Sequence, residues 1–520
     1  MREVVCINVG QAGIQMANAS WELFCIEHGI ECNGKLKYDA QDFTSFHTFF
    51  QEVPSGNYVP RAINVDLEPT VIDEIRTASY RNLWHPDYLI NCCEDAANNF
   101  ARGHYTIGKS VIEKFMERLR KCAMACDSVQ GFIVLNSYGG GTGSGLSALI
   151  FENLSVEFSK TAKFQQAIYP APQLATAIVE PYNSLLTASK CMENTDVVML
   201  IDNEATYDIC FKKLNISRPG YNNINRLIAQ IFSAMTVSIR FGASLDNDLV
   251  QLQTNLIPYP RIHFPTVNYS PIIDSHRAAH EGLTISEITR ELFDPGNQLI
   301  RCDLRLGKYM SCCIQYRGLI TPRQVNIAVY DIKRRTEINF VDWCPTGFKL
   351  GISPMPPATV PGSEMAKTDK NCTMFCNTSA VAQLWQRLDK KFDLLFHKRA
   401  FIHWYVGEGM EEAEFVEARS DLVALEQDYE DIATNSEDFI YKTEAHLLKK
   451  PPTFQQTSIK ENTYEEREIS KRSSKQKTDF EQGNFNDEKF INGKEESLEK
   501  DITVNDNNTN YSMFYKRNYR

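Results

Sequence analysis

Seven consecutive residues, Gly139-Gly140-Gly141-Thr142-Gly143-Ser144-Gly145, include five glycines. A backbone this free of side chains can turn tightly and aim successive N–H groups at one anion. The segment lies between a strand-like run at 131–135 and a helix-like run at 146–154, so the positive end of the following helix would add to the attraction. It is neither a GxGxxG fingerprint nor a P-loop, because no Gly-Lys-Ser/Thr closes it. Taken alone, the motif also fits a merely flexible loop. Other polar segments offer what a phosphorylated ligand needs. Gln11 and Gln15, one helical turn apart, present amides to phosphate or base. Asp66 and Glu68 supply hard oxygens, direct or through water, for a Mg²⁺ shared with phosphates. Asn98, within Asp95-Ala96-Ala97-Asn98-Asn99, is an uncharged donor. Singly, each of these is more often a turn former or a helix cap.

Such loops need a scaffold that gathers them. Residues 4–9 (VVCINV) read as a buried strand running into Gly10-Gln11-Ala12-Gly13 and then a helix through Glu27. Strand-then-polar-loop units recur at 62–65 before Asp66-Leu67-Glu68, at 131–135 before 136–145, and at 197–201 before Asp202-Asn203-Glu204. Helix-period segments such as 107–126 lie between them. Short apolar strands alternating with helices predict a parallel, doubly wound α/β sheet, whose ligands sit at the carboxyl ends of the strands. A long helix follows at 221–240, and the proline-rich stretch 258–265 marks a change of texture. Residues 265–380 mix strand-like runs (310–316, 325–330, 338–341) with helices, which suggests a second α/β domain. From 379 to 431 the pattern is mainly helical, with Glu411, Glu412, Glu414 and Glu417 clustered on one segment. The expected division is 1–240, 241–378, a helical hairpin region at 379–435, and a tail at 436–520. The tail holds few large aliphatics and 15 Lys+Arg against 16 Asp+Glu, and is expected to be disordered.

The chain of 520 residues is 43% hydrophobic and 23% charged, enough apolar material for two or three packed domains. A net charge of -11 argues against nonspecific binding to nucleic acid or anionic membrane. The 15 cysteines are scattered, without paired CxxC knuckles, and no apolar run approaches spanning length. The composition reads as a reduced, cytosolic protein.

Several segments together resemble the tubulin family: GQAG, VDLEPTVID, EDAANNFARGHYTIGK, GGGTGSG, QTNLIPYPRIHFP, DWCPTGFK and RAFIHWYVGEGMEEAEF, over about residues 1–435. The resemblance implies a tubulin/FtsZ-like fold. The insert Pro357-Ala358-Thr359-Val360-Pro361-Gly362-Ser363-Glu364-Met365 and the wording of 167–172 and 343–349 are similar to α-type chains. By resemblance, Gln11, Ala12, Gln15, Asp95, Ala96, Asn98, Ser137, Gly140, Gly141, Thr142 and Gly143 would hold phosphates. Thr176 and Glu180 would reach the ribose, Asn203, Tyr221 and Asn225 the guanine, and Glu68 a Mg²⁺ through water. The implied cofactors are GTP and Mg²⁺, and the implied partners are β-tubulin in a heterodimer and in microtubules, with motors and associated proteins. The implied location is the cytoplasmic cytoskeleton.

The chain also departs from the family pattern. The α-type loop that plugs into the next subunit reads Gly-x-x-Asn-x-Asp-x-x-Glu in the family; the aligned residues here are Ala243, Asp246, Asp248 and Gln251. Gln251 thus replaces the catalytic glutamate, which predicts a weakened contribution to GTP hydrolysis. Ala40 falls where a lysine is often acetylated, with Lys35 and Lys37 placed differently, and the acidic, tyrosine-terminated tail is absent. The favoured reading is a polymer subunit; the alternative is a non-polymerising protein that caps filaments or sequesters β-tubulin.

Overall fold

Alternation along the strands decides which helices cover which face. In the computed structural model, β1 (Glu3–Val9) is buried over its whole length. Val4 and Cys6 pack to one side, with Val5, Ile7 and Val9 to the other. The model describes residues 3–37, 44–171, 173–243, 248–278, 280–334, 338–344 and 347–434. The tail expected to be disordered from 436 onward lies outside the described residues, as do Ala40, Pro172, Asp246, Pro345 and Thr346.

After β1 comes α1 (Gly10–His28), a short hairpin of β2 (Phe50–Glu52) and β3 (Tyr58–Pro60), then β4 (Ala62–Asp66), α2 (Thr70–Thr77) and β5 (Leu89–Asn91). A π-helical turn at Arg102–Thr106 opens α3 (Ile107–Met124), and a second at Thr142–Leu146 joins β6 (Val129–Ser137) to α4 (Ser147–Glu157). Then follow β7 (Ala162–Tyr169), α5 (Glu180–Asn194), β8 (Val197–Asp202), α6 (Asn203–Lys212) and α7 (Tyr221–Arg240). The sheet is six-stranded, in the order β5-β4-β1-β6-β7-β8, and parallel throughout. Residues of α1, α2 and α7 bury one face, and those of α3 and α4 the other. A parallel sheet must be covered on both sides, hence the near-continuous apolar runs in its strands.

The chain continues with α8 (Leu249–Leu256), β9 (Thr266–Ser270), α9 (Ser275–Ala278), α10 (Ile285–Glu291), β10 (Tyr309–Gly318), α11 (Pro322–Lys333), β11 (Phe348–Ser353) and β12 (Lys370–Thr378). These strands form a mixed sheet in the order β11-β10-β12-β9. Helices α12 (Ala382–His397), α13 (Ile402–Gly407) and α14 (Glu412–Ala433) complete the described chain.

Three readings need correction. Residues 325–330 are not a strand; they lie in α11. Pro322 sits at its first turn, Thr321 and Gln324 form a capping box, and the buried Val325, Ala328, Val329 and Ile332 follow the helical period. Residues 338–341 form no strand either: Phe340 makes one isolated bridge to Tyr309. Gly10 to Gly13 are not a loop, because α1 begins directly at Gly10. Strands β5 and β7 and the β2–β3 hairpin were not expected from the sequence.

Between the two sheets lies a buried ionic cluster. Glu27 on α1 receives Arg240 of α7 at 2.6 Å and Arg317 of β10 at 2.8 Å, and all three side chains are without solvent exposure. Burial alone would raise the Glu27 pKa, but the two guanidiniums win and bring it down to about 2.

Candidate functional site

The chain runs β1, β4, β5 outward in one direction and β6, β7, β8 in the other, so the strand order reverses between β1 and β6. A doubly wound sheet opens a crevice at that point. A cavity of about 470 Å³ lies there, lined by Gly10, Gln11, Ala12 and Gln15 after β1, and by Asp66 and Glu68 after β4. Asp95 and Asn98, then Ser137 and Gly140 to Gly143 after β6, form another wall, and Thr176, Asn203, Tyr221 and Asn225 complete it. Segments far apart in sequence thus meet at one place. Two expected residues do not line this cavity. Ala96 is fully buried behind Gly141, and Glu180 turns its carboxylate onto Thr176 and Ala177.

The glycine segment works by close approach rather than by unusual torsions. A Cβ on Gly143 would stand 2.6 Å from the Ser137 carbonyl oxygen, a backbone atom that cannot swing aside. Gly10, at φ +71, lets α1 begin against Gly143 N, where a Cβ would come within 3.2 Å. Gly140 is different: a Cβ there would meet only Asn98 Oδ1 at 4.0 Å, so this position faces the open cavity. The Ser144 N–H donates to Gly140 O at 3.2 Å, so Gly140 to Gly143 precede the first turn's bonding, and all four line the cavity. The starts of α1, α6 and α7 open on the same space and favour negative charge there.

Acidic groups occupy one side. Asp66 ends β4 and is nearly buried. Burial pushes its carboxyl up to about 7, against two backbone N–H groups that lower it, with Asp95 and Glu68 adding repulsion. Glu68 Oε1 accepts from Thr70 Oγ1 at 2.8 Å. A divalent cation at this cluster would remove the repulsion, and these hard oxygens suit Mg²⁺. Among the described residues no three His, Cys, Asp or Glu side chains close on a metal by themselves.

The opposite end suits a planar ring. Asp202 caps α6 by accepting from the Glu204 N–H at 2.8 Å, which fixes Asn203 at the helix start. Tyr221 opens α7 and is 54% exposed, with the Tyr207 ring 6.4 Å away, and Asn225 is buried one turn on. A larger cavity of about 740 Å³ adjoins and shares Gln15, Tyr221 and Asn225, but none of the residues 137–145 lines it. Gly140 to Gly143, like Gln11, Asn98 and Ser137, line the crevice rather than the larger volume.

Gln251 lies apart, on α8. Its Oε1 accepts from Lys349 Nζ at 3.1 Å, and it does not line the crevice. Asp248 caps α8 by accepting from the Leu249 N–H at 3.0 Å.

Two protein-family models match the chain. The Tubulin/FtsZ family GTPase domain matches residues 3–211, and the tubulin C-terminal domain matches residues 260–390. Together they span well over half of the sequence. This chain is a tubulin-family protein. It therefore has the tubulin fold, a GTPase domain followed by a C-terminal domain, and is a guanine-nucleotide-binding cytoskeletal protein of a family that assembles with tubulin partners. No described helix of this tubulin is long and apolar enough to cross a membrane. Beyond the expected residues, Val9, Met16 and Ile168 line the crevice, and Asn183 stands directly behind it. Asn183 sits within a helical run with nothing in its sequence neighbourhood to single it out.

Proposed function

We propose that this tubulin is an α-type subunit that holds GTP with Mg²⁺ in the crevice between β1 and β6, pairs with β-tubulin and polymerises into microtubules. The observation that carries the reading is the convergence of the 10–15, 66–68, 95–98, 137–143, 176, 203 and 221–225 segments on one cavity. Gly140 to Gly143, Gln11, Ala12, Ser137 and Asn98 would hold phosphates, and Gln15 the phosphate or base. Asp66 and Glu68 would hold the Mg²⁺, Asp95 would join the phosphate-facing residues, and Tyr221, Asn203 and Asn225 would hold guanine. Ala96 supports Gly141 from behind, and Glu180 fixes the Thr176 turn that would face the ribose. We divide the chain at 240 and 378 because each sheet then keeps its own strands.

The α-type assignment draws support from the 357–365 insert, which is anchored on α7. Gln230 donates to Ala358 O at 2.7 Å, Arg226 to Gly362 O at 3.1 Å and Asn223 to Glu364 at 2.8 Å, and Val360 is buried against Leu23 and Ala229. The first experiment is to denature the purified full-length protein and quantify the released nucleotide. About one guanine nucleotide per chain is expected, and a stable nucleotide-free protein contradicts the reading.

When bound at the contact between dimers, the next subunit's GTP supplies the scissile phosphate. In the family reading this chain's plug-loop residue activates the attacking water. A glutamine orients a water but does not take its proton, so Gln251 weakens that contribution. The alteration of the plug loop at Ala243, Asp246 and Gln251 favours a second reading, a non-polymerising cap or β-tubulin-sequestering protein. Pelleting with purified β-tubulin separates the two. Incorporation along the polymer supports the subunit; loss of polymer mass supports sequestration.

A further inference from the structure

Asn183 lies on α5, one turn past Glu180, with no solvent exposure. A side-chain amide has two N–H donors and an oxygen that accepts twice. All four are used. Nδ2 donates to Asn98 O at 2.8 Å and to Gly139 O at 2.9 Å. Oδ1 accepts from the Phe100 N–H at 3.1 Å and from the Tyr405 hydroxyl at 2.7 Å. Carbonyl oxygens only accept and a backbone N–H only donates, so these partners fix which end of the amide is which. Aspartate, with no donor, does not fit.

We propose that Asn183 is the positioning residue that sets the two phosphate-facing loops, 95–100 and 137–143, against each other, and that Tyr405 ties this setting to α13. The proposal rests on the reading of the crevice as the guanine-nucleotide site.

Both loops need such a tie. Ala97 and Asn98 have φ of 47° and 55°, a left-handed conformation costly for residues with a Cβ, so the turn persists only if its surroundings hold it. The bonds from Asn98 O and Phe100 N–H to Asn183 hold the chain as it leaves that turn. On the other loop, a Cβ at Gly139 would stand 3.1 Å from Glu180 Cγ, so α5 presses directly on the glycine segment. One helical turn therefore grips both loops. With Asn183 fully buried, pulling either loop away leaves one of its amide donors or acceptors unpaired, which is costly. The two loops move as one wall.

The link to α13 has its own rigidity. The Tyr405 ring stands edge-on to Tyr182 at 5.8 Å and to Phe415 at 5.3 Å, so its hydroxyl has a fixed direction. Further contacts bind the same segment: Asn99 Nδ2 donates to Trp404 O at 3.1 Å, and Thr106 Oγ1 to Glu408 Oε2 at 2.6 Å. The phosphate wall thus extends, bond by bond, into the C-terminal helices.

The test uses the full-length chain with whatever tubulin it purifies with. Tyr405→Phe keeps the ring and removes one hydroxyl donor; Asn183→Asp is nearly isosteric and puts an oxygen against two carbonyls. Guanine nucleotide per chain, its release rate into excess nucleotide, thermal midpoint, and amide hydrogen exchange at 96–102 and 137–145 are measured. Tyr405→Phe is expected to release nucleotide about fivefold faster and Asn183→Asp more than about tenfold faster, with increased exchange confined to those two segments. A merely structural role would instead lower the midpoint and raise exchange across the chain, with release unchanged in the folded fraction. If wild type is loaded and Tyr405→Phe keeps wild-type release and protection, the proposal is overturned while the nucleotide reading stands. If wild type carries no guanine nucleotide, the nucleotide reading falls and takes the proposal with it. Should Asn183→Asp not fold, Tyr405→Phe decides alone.

Discussion

The crevice and the face around α8 are built on opposite plans. In the crevice, residues that face the ligand are backed by groups fixed elsewhere: Asn98 by Asn183, Thr176 by Glu180, Asn203 by Asp202. On α8, the described side chain of Gln251 meets Lys349 across a half-exposed surface, and Asp248 serves the helix as its cap. A change in the crevice disturbs the packing that makes the fold. A change at Gln251 falls on a partly exposed side chain, away from the buried Leu249, Leu252 and Leu256 of the same helix. On the proposed reading, that asymmetry lets the crevice residues stay while those near α8 depart from the family pattern.

The strongest way to break the comparison is Gly143→Ala. The new methyl would meet Ser137 O at 2.6 Å and Ser137 N at 3.1 Å, both backbone, so relief requires moving β6 or the π-turn. We expect loss of nucleotide and a destabilisation of about 3 kcal/mol or more, the upper end for overpacking, read as loss of soluble folded protein. A variant that folds and stays loaded would show that the cradle is looser than its geometry.

Acid sharpens the comparison on the α8 side. His263, in the segment joining α8 to β9, is fully buried and donates from Nδ1 to Pro260 O at 2.6 Å. Burial lowers its pKa to about 4, against the hydrogen bond that raises it. A base whose folded pKa is depressed stays neutral in the fold while the unfolded chain takes up the proton. Its contribution is therefore whole above about pH 6.5 and is lost as pH falls towards 4, about 3 kcal/mol in all. Glu27, depressed to about 2, adds a second loss that begins only below about pH 4.5. Asp66 and Asp202, raised to about 7 and about 6 chiefly by burial, act in the opposite direction, so the titration is done with nucleotide and Mg²⁺ present. His28, lowered to about 3 chiefly by burial, acts in the same direction as His263. His263→Gln should therefore make the limb between pH 6.5 and 4 shallower without removing it; an unchanged limb assigns it to other groups.

The smallest effect is expected at Gly242, before the plug loop, where an added Cβ meets nothing within 4 Å. Gly242→Ala should leave stability unchanged or raise it by up to about 1 kcal/mol, since alanine restricts the unfolded chain. A large loss in thermal denaturation would mean that this segment is as tightly constrained as the crevice.

Much of the crevice was legible in the sequence because its residues follow strands at their carboxyl ends, where chemistry and chain order coincide. The glycine run, Gln11, Asp66 and Asn203 each stand shortly after the end of a predicted strand. What the sequence hid was tertiary. Asn183 and Tyr405 lie in helical runs, and only packing brings them to the loops at 98 and 139. The glycines announced freedom to turn, whereas the fold uses most of them to let backbones touch. The misreading of 325–330 has a local cause: Val325, Ile327 and Val329 alternate as in a strand, whereas the buried face is Val325, Ala328 and Val329 at helical spacing, and the capping pair Thr321 and Gln324 lay outside that window.

The central claim is that nucleotide binding is intact while the hydrolytic contribution of α8 is weakened. It is tested most directly by phosphate release during co-assembly with β-tubulin, comparing the natural chain with Gln251→Glu. The account predicts the same nucleotide content in both proteins and release per assembled subunit that is about 10²- to 10⁴-fold faster with glutamate, the usual contribution of a general base. Equal release from the two polymers would contradict it.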